Sequence, residues 1–152
     1  MDKDWFISQI DACSGMMYRV AWTILRNDAD CADALQDAVM KAWEKRSSLR
    51  DLSSFKTWVT RILINACYDI QRRNRRTVPL DSVQEQSVSV PDPELAEALG
   101  VLPDKLKIPL VLVFSEGMTY EEAAKALHLT AATIRGRIYR ARKQLKKELE
   151  KE

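Results

Sequence analysis

The residues that could do chemistry in this chain are mainly cations, and they are concentrated near its end. Between Thr130 and Lys147 there are seven arginines and lysines and no acidic residue. Ile134, Ile138 and Ala141 recur there at helical spacing, so one side of a helix would pack while the other is positive. A positive helix of this width suits a polyanion, in particular the major groove of DNA. The face opposite the apolar stripe carries Ala132, Arg135, Gly136, Tyr139, Arg140 and Lys143.

The segment before this helix completes a helix-turn-helix pattern. Thr119 can cap a short helix, and Glu122 lies three residues later, which is the arrangement of a capping box. His128 and Leu129 would form the turn, and Thr130 would cap the second helix. We predict that this unit binds DNA. The alternative is a solvated basic face or a contact for an acidic partner.

A glycine in the middle of the second helix, Gly136, has two explanations. Glycine inside a helix costs about 1 kcal/mol relative to alanine. Close approach to a base edge or a phosphate would compensate for that cost. The alternative is a neutral glycine on the protein surface.

A second cationic cluster ends a helix that we predict over Phe55 to Arg76. The run RRNRR is more positive than the end of a helix dipole needs, so it predicts phosphate contacts. Its arginines are Arg72, Arg73, Arg75 and Arg76. The positions predicted to face inward are Phe55, Trp58, Val59, Ile62, Ala66 and Ile70, and the other side includes Arg61, Asn65 and Asp69.

A helix predicted over Asp28 to Lys45 has an acidic face. Its buried stripe is predicted to be Leu35, Val39, Ala42 and Trp43. Acids early in a helix favour its dipole, which is one explanation of the aspartates. The other explanation is a docking face for a basic partner, with a methionine as an adaptable apolar contact. The residues of that face are Asp33, Gln36, Asp37 and Met40, with Asp28 and Asp30 before them.

Several classes of function have no support in the residue pattern. Cys13, Cys31 and Cys67 match no zinc spacing and are expected to be reduced thiols in a core. The single histidine, His128, lies in the predicted turn, where packing or solvation is expected rather than catalysis. We therefore predict no enzyme activity, no metal and no cofactor. The chain has no 18-residue apolar run and no signal-peptide pattern, so a cytoplasmic protein without membrane contact is expected.

The predicted fold is all-α, with two small helical domains joined by a flexible linker. Residues 1–76 would form the first domain, and residues 94–152 would form a second that contains the helix-turn-helix. Residues 77–93 are rich in Pro, Ser and Gln without periodicity, which is typical of a linker. Residues 4–26 are predicted to form a first helix, which Gly15 is expected to break or bend. Pro109 is expected to break or kink a later helix.

These stretches together resemble the sigma factors of bacterial RNA polymerase, specifically the small extracytoplasmic-function (ECF) group. DADCADALQDAVMKAW is similar to the helix that binds core polymerase. FKTWVTRILINACYDIQRRNRR is similar to the helix that reads and opens the −10 element, and LPDKLKIPLVLVFSEGMTYEEAAKALHLTAATIRGRIYRARKQL to the domain that reads the −35 element. The resemblance covers nearly the whole chain.

The resemblance implies a role for each group of residues. Asp33, Gln36, Asp37 and Met40 would meet the clamp helices of the largest polymerase subunit, and the polymerase flap would be a further contact. The loop from Arg46 to Ser54, with Asn65 behind it, would capture a base flipped from the non-template strand. The backbone of the −10 region would be held by Arg61, Arg72, Arg73, Arg75 and Arg76.

At the −35 element the resemblance places Arg135, Gly136 and Tyr139 in the major groove, with Arg140 and Lys143 on phosphates and Thr130 and Ala132 at the start of the reading helix. Gly136 departs from the small polar residue expected there. The resemblance also implies promoter DNA as a ligand and control by a separate anti-sigma factor.

Three other interpretations stay open at this point. A stand-alone helix-turn-helix regulator would use the basic helix, but it gives no account of the acidic helix or of Asn65 and the arginine cluster. An enzyme acting on nucleic acid would need a catalytic cluster that the sequence lacks. A helical adaptor would carry its basic faces only incidentally.

Overall fold

The computed structural model describes residues 1–76 and 93–151, and all of the regular structure in those ranges is helical. This confirms the all-α prediction. The predicted linker lies outside the described residues, except for Pro93, where a helix begins. The helices are α1 (Lys3–Leu25), α2 (Asp28–Glu44), α3 (Phe55–Arg76), α4 (Pro93–Val101), α5 (Asp104–Leu110), α6 (Tyr120–Leu127) and α7 (Ala131–Glu150).

Helix α1 begins at a side-chain cap and runs without interruption. The Asp2 carboxylate accepts a hydrogen bond from the Trp5 backbone N–H at 2.8 Å, and the helix ends where Arg26 takes a φ of 57°. The break predicted at Gly15 does not occur, since α1 continues through this residue. Met16 and Met17 beside it are buried, and this packing offsets the roughly 1 kcal/mol that glycine costs in a helix.

The buried stripe of α2 consists of small residues. Cys31, Ala34, Ala38 and Ala42 are fully buried, whereas Leu35, Val39 and Trp43 are only half-buried. The prediction that Ala42 is buried is confirmed. The prediction that Leu35, Val39 and Trp43 form the centre of the buried stripe was wrong. Small side chains let α2 approach α1 and α3 closely, and the large ones pack along the edges of that contact.

Helix α3 has the predicted bounds and is buried around more of its circumference than its sequence pattern indicated. Thr60, Leu63, Ile64 and Cys67 are buried in addition to the predicted residues, while Trp58 and Ile62 are half-buried. The reason is that α3 packs against α1 and α2 on one side and against α6 on another.

The C-terminal helices position the helix-turn-helix. Pro109 lies inside α5 and does not break it; the chain continues into a π-helical turn, Val111–Ser115. Thr119 and Glu122 form the predicted capping box, His128 ends α6 with a φ of 60°, and the Thr130 hydroxyl caps α7. The helix-turn-helix prediction is confirmed in each of these details.

One hydrophobic core runs through both groups of helices, because α6 packs on α3 and α5 packs on α1. The three cysteines are free and buried, as predicted. Burial raises the pKa of Cys31 to about 11 and that of Cys67 to about 12, and it also raises the pKa of Cys13. The thiols are therefore protonated packing residues at neutral pH.

Candidate DNA-binding and docking surfaces

The basic face of α7, defined by Ala132, Arg135, Gly136, Tyr139, Arg140 and Lys143, points away from the core. Ile134, Ile138 and Ala141 on the other side of the helix are buried, and α7 packs through them on α5 and α6. Tyr139 is 68% exposed although it is aromatic. An exposed aromatic ring among arginines is available to contact a ligand, as expected of a helix that enters a DNA groove.

Two contacts on this face bear on the sequence predictions. The Arg135 guanidinium lies 5.5 Å from the centre of the Tyr120 ring on α6, so α6 helps to orient it. A Cβ atom added to Gly136 would lie 3.6 Å from Arg140 Nη1, which is ordinary contact. The fold therefore does not require glycine at this position.

The arginines of α3 do not share one direction. Arg61, Asn65, Arg72 and Arg76 are exposed and follow one line along the helix at i, i+4, i+11 and i+15. Arg73 instead lines a depression between α2 and α3. Arg75 is exposed, and helical spacing places it on the side of this line opposite to Arg73. We call Arg61, Asn65, Arg72 and Arg76 the α3 stripe.

The four residues predicted to dock polymerase lie together in a depression of about 320 Å³, which we call the α2–α3 groove. Met40 is 57% exposed at its edge. Helix α3 contributes residues that the sequence analysis did not assign to this surface. The complete lining is Asp33, Gln36, Asp37, Met40, Ala66, Asp69, Ile70 and Arg73.

Charge in the groove is partly balanced by a lysine. The Lys41 Nζ atom lies 2.9 Å from Asp37 and 3.8 Å from Asp69, and Arg72 also pairs with Asp69. The hydrogen bond from Lys41 to Asp37 is the largest cause that raises the pKa of Lys41. Asp69 thus belongs to the acidic groove as well as to α3, a position that only the packing of α3 across α2 reveals.

The first two aspartates of α2 are used by the fold. Asp28 accepts a hydrogen bond from the Tyr18 hydroxyl, which raises the pKa of Tyr18 to about 12. Asp30 accepts from Asn27 at 2.7 Å and from Asn74 at 3.0 Å, so it joins the start of α2 to the end of α3. Asp33 and Asp37 remain as the aspartates directed into the groove.

The segment between α2 and α3 is held by local bonds as two 3₁₀ turns, Arg46–Ser48 and Leu52–Ser54. The Arg46 guanidinium stacks 3.9 Å above the Trp43 ring, and the Trp58 indole N–H donates to the Ser48 hydroxyl at 3.3 Å. These contacts hold the predicted base-capture loop against α2 and α3.

An apolar pocket of about 370 Å³ lies on the C-terminal helices, and the sequence analysis did not single it out. Phe114 is 57% exposed at this pocket, and the Arg142 guanidinium lies 5.4 Å from its ring centre. The π-helical turn presents Phe114 outward, which the spacing of the sequence does not show. The lining consists of Leu99, Leu110, Val111, Phe114, Ser115, Arg142 and Leu145.

Other kinds of site are not found in the part of the chain that the structure describes. There, no three His, Cys, Asp or Glu side chains converge in a way that could hold a metal ion. No described helix is long and apolar enough to cross a membrane.

An exposed basic face on the second helix of a helix-turn-helix is typical of a DNA-binding protein, and comparison with known proteins gives the family. Residues 10–77 match the model of Sigma-70 region 2, and residues 93–145 match that of Sigma-70 region 4. The chain therefore belongs to the sigma-70 family, in its ECF group. It is a transcription initiation factor that directs RNA polymerase to promoters, a family without catalytic activity of its own.

Relatives support the same family over most of the chain. RNA polymerase sigma factor SigV of Bacillus subtilis is 29% identical, over 89% of this chain and 85% of its own length. ECF RNA polymerase sigma factor SigM of Mycobacterium tuberculosis is 32% identical, over 85% of this chain and 69% of its own.

Two solved structures share the fold. Sigma factor RpoE of Bartonella quintana, crystallised with the anti-sigma factor NepR, has a TM-score of 0.81 at 28% identity and covers 99% of both chains. CnrH, solved with the cytosolic domain of CnrY, has a TM-score of 0.72 at 23% identity over 98% of this chain and 90% of its own. The second is similar in fold only.

Proposed function

We propose that this sigma factor divides promoter recognition and polymerase binding among four surfaces. The observation that carries the proposal is the basic face of α7, exposed on a helix whose other side is buried. The polymerase-binding surfaces are spatially separate from that face, so one chain can bind the enzyme and the DNA together. The family regions matched at 10–77 and 93–145 support domains of residues 1–76 and 94–152.

Helix α7 reads the −35 element in this proposal. Arg135, Gly136 and Tyr139 face base edges in the major groove, because they occupy the N-terminal half of the exposed face, which enters the groove in helix-turn-helix proteins. Arg140 and Lys143 bind flanking phosphates. Thr130 and Ala132 lie at the start of the helix, where its backbone N–H groups favour a phosphate.

The α3 stripe and the loop before α3 open the −10 element. Arg61, Arg72 and Arg76 follow the DNA backbone along one exposed line, and Arg75 adds charge at the end of the helix. Asn65 lies among them and contacts the base that the loop from Arg46 to Ser54 captures. Unpairing a base costs a few kcal/mol, so capture of the free base favours local melting. Arg73 is the exception, since it lines the α2–α3 groove.

The α2–α3 groove is the docking site for the clamp helices of the largest polymerase subunit. Its aspartates suit a basic partner, and Met40 supplies an adaptable apolar contact. The pocket around Phe114 suits an apolar segment, and we assign the polymerase flap to it. Both surfaces belong to a chain that works with RNA polymerase in the cytoplasm.

An anti-sigma factor regulates the chain in this proposal. Support comes from sigma factor RpoE of Bartonella quintana, which shares 28% identity with this chain and was solved in complex with the anti-sigma factor NepR.

Run-off transcription tests the proposal as a whole. Core RNA polymerase is incubated with a library of bacterial DNA fragments, with and without the purified chain. We expect new transcripts that start at defined sites sharing −10 and −35 sequences, and that depend on Arg135 and Asn65. Start sites that are the same without the chain would overturn the proposal.

A further inference from the structure

The methionines of this chain differ in how far small molecules in solution can reach them. Met16, Met17 and Met118 are buried, with at most 5% of each residue exposed, and Met1 is half-buried at the start of the chain. Met40 on α2 is 57% exposed. A reagent that attacks thioether sulfur therefore meets Met40 first.

The position of Met40 gives this exposure a consequence for binding. Met40 lies at the edge of the α2–α3 groove, whose other apolar lining residues are Ala66 and Ile70. Those two residues are buried, so Met40 supplies most of the apolar surface that a partner in the groove can cover. The rest of the lining is polar or charged and consists of Asp33, Gln36, Asp37, Asp69 and Arg73.

The cysteines do not compete with Met40 for an oxidant. Cys31 and Cys67 are 0% exposed, and Cys13 is 8% exposed. Burial raises the pKa of all three thiols, so the reactive thiolate is scarce at neutral pH. A thioether has no ionisable proton, so access to its sulfur decides how fast it is oxidised. The Met40 sulfur is thus both reactive and accessible.

Oxidation of a thioether by a hydroperoxide transfers one oxygen atom and two electrons. A lone pair of the sulfur attacks one oxygen of hydrogen peroxide, the O–O bond breaks, and the other oxygen leaves as water with both protons. The sulfur is oxidised to a sulfoxide and the peroxide is reduced. A dithiol-dependent methionine sulfoxide reductase reverses the change, because the sulfoxide oxygen then leaves as water while two thiols become a disulfide.

A sulfoxide at this position changes binding more than folding. Met40 is more than half exposed in the free chain, so the new oxygen stays in water and costs the fold little. A partner seated in the groove would have to remove that water and would meet a polar group in place of an apolar one. Because an unsatisfied polar atom in an interface is unfavourable, we expect the affinity to fall about tenfold.

We propose that Met40 is an oxidation site through which a hydroperoxide lowers the affinity of this sigma factor for core polymerase, and that reduction of the sulfoxide restores the affinity. This inference rests on the proposed function, because the α2–α3 groove must be the docking site for the polymerase. Docking covers the sulfur, so the oxidant acts on the free chain and spares the assembled holoenzyme.

Peptide mapping by mass spectrometry tests the site in the full chain. The purified chain is treated with hydrogen peroxide for increasing times, with and without saturating core polymerase. The gain of one oxygen atom is then followed at each methionine. We expect oxidation of Met40 to be faster by about tenfold or more than that of the three buried methionines, and to be slowed in the complex.

Fluorescence anisotropy measures what the oxidation does to polymerase binding. After the peroxide is removed, the wild type should bind core polymerase about tenfold more weakly than before. Treatment with the two stereospecific methionine sulfoxide reductases should restore the affinity. Far-ultraviolet circular dichroism should show the same helicity before and after oxidation.

Two variants assign the effect to one sulfur atom. Met40→Leu has no sulfur at this position, so its affinity, whatever the starting value, should be the same before and after peroxide treatment. Met118→Leu is the matched control, since it removes a buried thioether at similar side-chain volume. It should lose affinity on oxidation as the wild type does.

The outcomes are distinguishable. The proposal is overturned if the buried methionines are oxidised as fast as Met40, or if Met40 is oxidised equally fast in the complex. It is also overturned if the chain oxidised at Met40 keeps its affinity, or if Met40→Leu loses affinity on oxidation as the wild type does. Failure of the untreated chain to bind core polymerase contradicts the proposed function instead, while the peptide map of the free chain still shows whether Met40 is the accessible site.

Discussion

Asp37 and Lys41 form an ion pair one turn apart on α2, with 2.9 Å between the Lys41 Nζ atom and the Asp37 carboxylate. Exposed pairs at this spacing contribute only about 0.3–0.5 kcal/mol. A cationic side chain of a partner can therefore replace Lys41 at little cost. The α2–α3 groove is held in shape within the free chain and still offers its carboxylates to a basic surface.

Reversing the charge of this groove should separate docking from folding. Asp33→Lys with Asp37→Lys should abolish binding to core polymerase, because two basic residues would face the basic partner. Both aspartates belong to the groove rather than to the core, so helicity should be retained. Fluorescence anisotropy measures binding, and far-ultraviolet circular dichroism measures helicity. Binding that survives the double change would rule out the groove as the main docking site.

Asp69 should matter for the same binding although the sequence analysis placed it only on the outer side of α3. Asp69→Asn removes a carboxylate that lines the groove and pairs with Lys41 and Arg72. We expect polymerase affinity to fall by a few-fold, with less effect on stability because these ion pairs are exposed. Asp11→Asn on α1 is the matched control. Equal affinities of the two variants would remove Asp69 from the docking surface.

Base-reading and phosphate-binding residues of α7 should respond differently. Arg135→Ala should cost about 1–3 kcal/mol on the preferred −35 sequence and relax specificity at one base position. Lys143→Ala should weaken binding to all sequences alike and reduce the magnitude of the salt slope by about 0.9. Competition assays with the polymerase holoenzyme at several salt concentrations separate the two effects. Loss of sequence specificity in Lys143→Ala, together with uniform weakening in Arg135→Ala, would reverse the two assignments.

Gly136→Ala decides between the two explanations of the glycine. The new Cβ meets only ordinary contact with Arg140, so the free energy of unfolding should rise by up to about 1 kcal/mol. If Gly136 approaches the DNA closely, the same change should lower affinity for the −35 element. Urea unfolding and promoter binding measure the two quantities. A stabilised protein with unchanged promoter preference would identify Gly136 as a neutral surface residue.

The ion pair between Arg19 and Glu116 predicts a pH dependence of stability with a defined sign. Burial would raise the pKa of Glu116, but the hydrogen bonds from Arg19 and Ser115 outweigh it, and the pKa lies below its ordinary value. The folded protein therefore gains stability from this carboxylate above the unfolded pKa and loses it as pH falls through the folded pKa. Urea unfolding between pH 3 and pH 7 should show a smaller loss in Glu116→Gln than in the wild type. An equal loss in both proteins would contradict this role of Glu116.

Local features of this fold were predictable from sequence because they depend on residues a few positions apart. The bounds of α3 and the capping box of Thr119 and Glu122 are such features. The alanine stripe of α2 was not predictable, since large residues dominate a hydrophobic pattern while small ones permit the closest approach of helices.

The candidate sites also differ in whether they depend on one helix or on the packing of several helices. The basic face of α7 and the four groove residues of α2 lie on single helices, and the structure places each set on one surface. Asp69 enters the groove only because α3 packs across α2, and Arg19 meets Glu116 across 97 positions of sequence. Phe114 is presented by a π-helical turn that no simple periodicity indicates.

Promoter binding with and without core polymerase tests most directly whether this chain acts through the enzyme. The purified chain and a promoter fragment identified by run-off transcription are compared in a gel shift, before and after core polymerase is added. The account predicts weak specific binding by the free chain and a strong specific complex with polymerase. Equally strong specific binding by the free chain would contradict it and would favour a stand-alone helix-turn-helix regulator.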